Sequence, residues 1–220
     1  MTTFTPLKVT FELDGTGVVY DPFEPPMLDA LIAWVVGPFV GKDSYLGRDD
    51  KPEDLTLPLA RWHKGDVWGY RASALFPVGD TIVESGLFYR GRMRLGMLER
   101  CAKGSPNTTM GCWRSSQTKA PLTLCRELVG WCVGDRAKVK NALRRVRFIG
   151  KKRSYGRGLV TGLRIEHTDE DYSLTRGGLA MRYLPDPNGL RLVRMRAPYW
   201  NNVDRVPSCE ILDAIEWSET

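Results

Sequence analysis

The sequence predicts an α+β fold, and three observations carry that prediction. Apolar residues switch along the chain between a period of two and a period near 3.6, which separates strands from helices. The helical period is clearest in two segments, near residues 28–35 and 136–147, and a long strand-rich stretch broken by Gly and Pro lies between them. At 220 residues and 42% hydrophobic, the chain has enough apolar side chains for a sizeable core, as one large domain or two small ones.

Residues 7–20, LKVTFELDGTGVVY, alternate as a strand, a Gly-broken turn and a second extended piece. In PPMLDALIAWVVGP, Leu28, Leu31, Ile32 and Val35 fall at i, i+3, i+4 and i+7. That spacing places them on one face of a helix, with Pro26 at its start and Gly37-Pro38 as its stop. Residues 41–58 are polar and rich in breakers, so they read as a loop. Strand signals return at 67–76, at 81–89 and at 90–98. In the last of these Arg90, Arg92 and Arg94 alternate with Gly91, Met93 and Leu95, which puts three guanidinium groups on one strand face.

Residues 99–134 read as a long polar loop, with Trp113 next to Arg114, followed by a short helix over Leu122–Val133. Asp135 then fits an N-cap. Val139, Leu143 and Val146 form an apolar stripe, and Arg136, Lys140, Arg144 and Arg147 line a neighbouring face with Arg145 close by. Strands are predicted at 159–166, Leu179–Leu184 and Leu190–Ala197, and a closing helix from Ser208 with Ile211, Leu212 and Ile215 on its buried side. The order β-α-(β-rich insertion)-α-loop-β-β is compatible with a ferredoxin-like (RRM-like) core carrying a large insertion.

Charge is polarised along the chain. Between Arg90 and Arg164 there are nineteen Lys and Arg residues against three acids, Glu99, Glu127 and Asp135. The flanks are acidic, at −6 for residues 1–89 and −4 for residues 165–220, so the net +6 hides a centre at +16. From Arg136 to Arg164 there are eleven basic residues and no acid. Such a field attracts a polyanion, and interleaved aromatic residues favour a nucleic acid.

No stretch approaches the roughly 18 unbroken apolar residues of a membrane span. The start, MTTFTPLKVTFELDG, lacks a basic segment followed by an apolar run, so the expected location is the cytoplasm. Five cysteines, Cys101, Cys112, Cys125, Cys132 and Cys209, are an odd number with no C-x2-C pair, which favours free thiols over disulfides or zinc. No cofactor is expected.

The segment Phe148–Val160, F-I-G-K-K-R-S-Y-G-R-G-L-V, concentrates the chemistry. Gly150, Gly156 and Gly158 let the backbone adopt positive φ and approach a ligand closely. Lys151, Lys152, Arg153 and Arg157 supply charge for phosphates, Tyr155 a flat face for a base, and Ser154 a hydroxyl for a phosphate cradle. Neither G-x-x-x-x-G-K-[ST] nor G-x-G-x-x-G is satisfied, so a nucleotide-cofactor loop does not fit. A solvated basic turn closing a strand is the bland alternative.

A strand leading into L-D-A-L-I-A (Leu28–Ala33), a basic helix, and then I-G-K-K-R-S-Y-G-R-G-L-V (Ile149–Val160) resembles the RAMP superfamily of CRISPR-associated proteins. Their hallmark is a glycine-rich loop after the second helix of a ferredoxin-like fold. The likeness is closest to the Cas-five-type, 5′-handle-binding subunit of type IV CRISPR effector complexes, where Val67–Leu75 with its A-S-A also fits. It covers both ends of the core well and the insertion poorly. The resemblance implies a single RAMP domain over 1–220, with core segments about 1–75 and 135–220 and a thumb-like insertion about 76–134.

It further implies that Gly150–Gly158 cradles the 5′ end of the guide RNA (crRNA), with Arg90–Arg94 in the insertion. The implied partners are the guide RNA and other subunits of a ribonucleoprotein, including backbone and large subunits. The target nucleic acid would be met only indirectly, through the guide.

RAMP relatives also include metal-independent endoribonucleases that cut precursor guide RNA. These need a proton acceptor, often His or Tyr, and a cation at the charged transition state. The chain offers His63, beside Lys64, and His167 in an acidic neighbourhood, or Tyr155 with Lys151 or Lys152. No Ser-His-Asp order, metal-ligand cluster or carboxylate pair stands out. The expectation is therefore a non-catalytic RNA-binding subunit, with the endoribonuclease as alternative and a basic module for acidic protein partners as a third class.

Overall fold

The computed structural model describes residues 3–37, 51–52, 54–91 and 114–218. Arg92, Arg94, Trp113, Cys101, Cys112 and the loop residues 41–50 lie outside the described residues. The architecture is mixed and strand-rich, with two α-helices and several small sheets among the described residues.

The centre is a four-stranded sheet of β1 (Thr5–Leu13), β5 (Phe76–Val78), β8 (Glu127–Gly134) and β9 (Val160–His167). Their spatial order is β5-β8-β1-β9, antiparallel throughout. β1 is paired on both sides: Val9 stands opposite Gly130 on β8 and Ile165 on β9. Alternation decides which face is dry, and Leu7, Val9, Phe11 and Leu13 all point into the core. The two helices, α1 (Leu28–Val36) and α2 (Arg136–Leu143), press their apolar stripes on that face. Leu28, Ile32, Val139, Leu143 and Val146 join the strand residues in one cluster. Burying each such side chain contributes about 1.5–3 kcal/mol.

Each helix begins for a local reason. The Asp135 carboxylate accepts from the N–H groups of Ala137 (3.0 Å) and Lys138 (3.1 Å). The Lys138 N–H bond holds the Asp135 carboxyl below its ordinary range, as expected of an N-cap. α1 has no side-chain cap; its Leu28 N–H donates instead to the Ser73 carbonyl at 3.1 Å. It stops where the Gly37 N–H returns to the Ala33 carbonyl at 2.8 Å.

A second sheet runs β2-β7-β6, with β2 (Val18–Val19), β6 (Ile82–Arg90) and β7 (Ser116–Leu124). β6 and β7 pair over nine residues, from Ile82 opposite Leu124 to Arg90 opposite Ser116. A second apolar cluster packs beneath three two-stranded pieces: β3 (Arg61–Lys64) with β4 (Val67–Tyr70), β10 (Thr175–Arg176) with β11 (Leu179–Ala180), and β12 (Arg191–Arg194) with β13 (Arg205–Ser208). Trp62 meets Trp217 edge-on at its centre, with ring centroids 5.3 Å apart.

The structure corrects four expectations. The helix read over Leu122–Val133 is the end of β7 followed by β8. Period two wins there because Leu128, Gly130 and Cys132 line up opposite Phe11, Val9 and Leu7 on β1. No helix starts at Ser208, which ends β13. Leu212 adopts φ +71° and is exposed, and the N–H groups of Leu212 and Ile215 bond to the carbonyls of Ala180 and Gly178. Cross-chain bonds thus replace the intrahelical ladder. The run 67–76 breaks after Tyr70, since Ala72, Ser73 and Ala74 make isolated pairings with neighbouring segments. Of Leu179–Leu184 only the first two residues are strand, because Arg182 turns inward to a buried polar knot.

Candidate nucleic-acid interface

The glycine-rich segment closes like a hairpin. Phe148 bridges Leu159, the Ile149 N–H donates to Gly158 O (2.9 Å), and the Val160 N–H donates to Arg147 O (2.9 Å). Gly158, at φ +74°, sits where an added Cβ would lie 2.0 Å from the Ile149 carbonyl oxygen, so no other residue fits. At the tip Lys152 is left-handed (φ 59°), and Arg153–Tyr155 form one 3₁₀ turn.

The loop is stitched to the turn between β1 and β2. Val19 O accepts from the Lys151 N–H (2.7 Å), Gly17 O accepts from the Gly158 N–H (2.9 Å), and the Thr16 hydroxyl donates to Gly156 O (3.2 Å). The Arg157 guanidinium donates to Thr16 O and therefore clamps the loop. These bonds hold the loop against β2 and the turn before it.

Hydrogen bonds and ion pairs sort the basic run. Arg164 pairs with Glu127 (2.6 Å) and Glu12 (3.4 Å), Lys138 with Asp135 (3.4 Å), and Arg136 donates to Ile165 O (3.1 Å). Lys140, Arg144, Arg145, Arg147, Lys151, Lys152 and Arg153 have no ion pair among the described residues. These uncompensated cations occupy the exposed flank of α2, its C-terminal end and the loop tip.

The β6–β7 hairpin faces the loop across a depression of about 560 Å³ lined by Phe88, Arg90, Ser116, Thr118 and residues 152–155. No acid lines it. Tyr155 meets Phe88 edge-on (5.4 Å between centroids, 78°) and keeps 42% of its surface open. The Lys152 ammonium lies 5.5 Å from the Phe88 ring centre and 5.9 Å from that of Tyr155. Arg153 stacks over Trp34 of α1 at 5.2 Å. Cations, hydroxyls and an open aromatic face are what a single strand requires for its phosphates and bases.

The structure thus brings the loop residues and Arg90 together. Arg90 donates to the Arg114 carbonyl (2.8 Å), so these two close the far end of the hairpin. Trp34 and Phe88 are additions. Trp34 had a legible sign, since it lies off the buried stripe of α1; Phe88 had none, because its role depends on how the hairpin folds over the loop.

Of the catalytic alternatives, Tyr155 and Lys152 line the depression, and the two histidines lie elsewhere. His63 is exposed on β3 opposite Trp68, and His167 Nδ1 is 3.1 Å from the Thr5 hydroxyl; neither lines the depression. Cys125, Cys132 and Cys209 are free buried thiols. Among the described residues no group of three or more His, Cys, Asp or Glu side chains could hold a metal. Among them, too, no helix is long and apolar enough to cross a membrane.

Comparison with curated proteins finds no match. Comparison with protein families finds one that spans both the central sheet and the loop: residues 5–92 and 81–211 match the family described as CRISPR type IV associated protein Csf3. The two stretches overlap across β6 and together take in every element described above. The chain therefore belongs to the Csf3 family of CRISPR type IV associated proteins.

Proposed function

We propose that the chain is a non-catalytic guide-RNA-binding subunit of a type IV CRISPR ribonucleoprotein, with the 5′ handle of the crRNA seated on Gly150–Gly158. The observation that carries this reading is the rigid glycine cradle with uncompensated cations at its tip, facing an acid-free depression. Phosphates would lie on Lys151, Lys152 and Arg153, and a base on Tyr155. Lys140, Arg144, Arg145 and Arg147 would carry the strand onward along α2.

The scaffold reading is a ferredoxin-like RAMP core. What supports it is the chain order β1-α1-β5-β8-α2-β9 together with the antiparallel spatial order β5-β8-β1-β9, the arrangement of a split βαβ sheet. The β6–β7 hairpin, between β5 and β8, is then the thumb-like insertion that closes on the RNA. The acidic flanks are suited to basic faces of the backbone and large subunits, and the target nucleic acid is met through the guide. The cytoplasm is the compartment this function requires.

The test is RNA binding by wild type and by the Lys151→Ala/Lys152→Ala/Arg153→Ala variant across a salt series. Each phosphate contact on a single strand contributes about 0.7 to the slope of log K against log salt, so the variant's slope should fall by about 2. An unchanged slope would remove the loop from the interface. The same preparations incubated with labelled repeat RNA in EDTA test the endoribonuclease reading: specific cleavage lost in His63→Ala or Tyr155→Phe would replace the non-catalytic assignment.

A further inference from the structure

The loop has a second side. Lys151 turns away from the hairpin and lines another depression, of about 510 Å³, between α1 and the β12–β13 strands. Its floor is apolar, from Met27, Ala30 and Val193, and its rim carries Lys151, Arg205 and Trp200. Trp200 is 44% exposed.

The Arg205 guanidinium donates to the carbonyls of Asn201 (3.0 Å) and Trp200 (3.2 Å). One side chain therefore both fixes the turn that presents the indole and places a positive charge beside it. The acid in this lining, Glu24, is already engaged by Arg191, whose guanidinium also lies 5.4 Å from the Tyr183 ring centre and 3.4 Å from Glu210. An apolar floor, an aromatic wall and two cations at the lip match one nucleotide: the ring system takes the base and the cations take the phosphate.

We propose that this depression is a single-nucleotide seat for the strand that crosses the loop, with the base against Trp200 and its phosphate between Lys151 and Arg205. The proposal rests on the RNA-binding reading of Gly150–Gly158 and extends it. The loop becomes a ridge, and consecutive phosphates pass over it from the Tyr155 side to the Trp200 side. Neighbouring residues in the chain point to opposite flanks, Lys151 to one and Lys152 to the other, and this gives the strand its sharp turn.

The experiment is binding of a single-stranded RNA ten nucleotides long, read by affinity and by ultraviolet cross-linking with mass-spectrometric mapping. The proteins are wild type, Trp200→Ala, Trp200→Tyr, Arg205→Gln and the triple loop variant, each checked for an unchanged thermal midpoint. Trp200→Ala should weaken binding about 10-fold with an unchanged salt slope, because stacking carries no counterion release. Trp200→Tyr should restore most of the loss, and Arg205→Gln should lower the slope by about 0.7. A cross-link should map to the peptide containing Trp200.

Wild-type affinity in both Trp200→Ala and Arg205→Gln, with the triple variant weakened, would overturn the second seat and leave the loop interface standing. An unaffected triple variant would overturn the interface itself. Adenosine monophosphate supplies the last arm. If it competes at this seat as tightly as the ten-nucleotide RNA, the pocket serves a free nucleotide and the assignment to a crossing strand is wrong.

Discussion

Two groups of arginines in this chain behave in opposite ways. Arg182, Arg194 and Arg196 are buried and ion-paired, whereas Arg144, Arg145, Arg147 and Arg153 are exposed and lack an ion pair among the described residues. Arg182 donates to the carbonyls of Tyr70, Ala72 (2.9 Å) and Met195 (2.6 Å) and to the Tyr199 hydroxyl (2.9 Å). It also stands 3.6 Å from the buried Asp29 carboxylate. Burial pushes the Asp29 carboxyl upward, and the Arg182 charge and the Tyr199 hydroxyl pull it back. Arg182 ties the apolar cluster under the C-terminal strands to Asp29 of α1, and Arg194 and Arg196 pair with Asp54; the second group has no such counter-charge among the described residues. In the RNA-binding reading proposed above, charge is functional where its counter-charge is missing.

The largest effect should come from breaking the buried group. Arg182→Met leaves Asp29 without its cation and five acceptors without their donor. Loss of one partner of a buried pair costs about 3–5 kcal/mol. Denaturant titration should show a collapse of the midpoint. Asp29→Leu added to Arg182→Met should recover part of the loss, since no buried charge then remains. A single variant as stable as wild type would mean that the knot holds nothing together.

In the loop the comparison moves to glycines. Gly158 and Gly156 share φ +74°, but a Cβ at Gly158 meets the Ile149 carbonyl at 2.0 Å, while at Gly156 nothing lies within 4 Å. Gly156→Ala should cost only the left-handed strain, about 1–2 kcal/mol. Gly158→Ala should cost more than that, because the closing bonds to Ile149 and Gly17 must shift, and RNA affinity should fall with it. Equal stability of the two variants would show that the closure of the loop is not what shapes the cradle.

Much of this was legible in the sequence. The periods of residues 7–20, Leu28–Val35 and Val139–Val146 fixed β1 and both helices, because each element's buried face is set by its own residues. The tight turn was legible from Gly150, Gly156 and Gly158, the positions whose φ is positive. Residues 122–133 were not legible as strand: Leu122, Leu128, Val129 and Cys132 suit either period, and only pairing with β1 and β6 decides. The loop's partners were hidden for a similar reason. Thr16, Gly17 and Phe88 lie tens of residues away, and no local pattern announces that their carbonyls or rings will meet Gly158, Arg157 and Tyr155.

The interior also keeps titratable groups neutral where the surface does not. Burial pushes the Cys132 thiol from its ordinary 9.0 up to about 12 and Cys125 up to about 11. A raised thiol leaves stability intact below pH 9, where both states are protonated. Stability is lost as pH rises from 9 toward 12, because the unfolded chain ionises first. Cys132 alone should remove on the order of 1 kcal/mol between pH 8 and pH 10, and Cys132→Ala should flatten that part of the profile. Thiol labelling at pH 8 should be slow in the native state and fast in denaturant. Rapid native labelling of Cys132 would place it outside the core.

Arg164 tests the comparison at its boundary. It belongs to the acid-free run by sequence, yet it is half-exposed and bonded to Glu127 and Glu12 across β8, β1 and β9. Its charge is thus already answered, and it should act like neither group of arginines. Arg164→Gln should change stability by less than about 1 kcal/mol, the usual worth of an exposed pair. It should leave the salt slope of RNA binding where it was, whereas Arg153→Gln, without an ion pair beside Trp34, should lower that slope by about 0.7. Equal slope changes at the two positions would mean that the field of the whole basic segment, and not the unanswered cations of the loop, is what holds the strand.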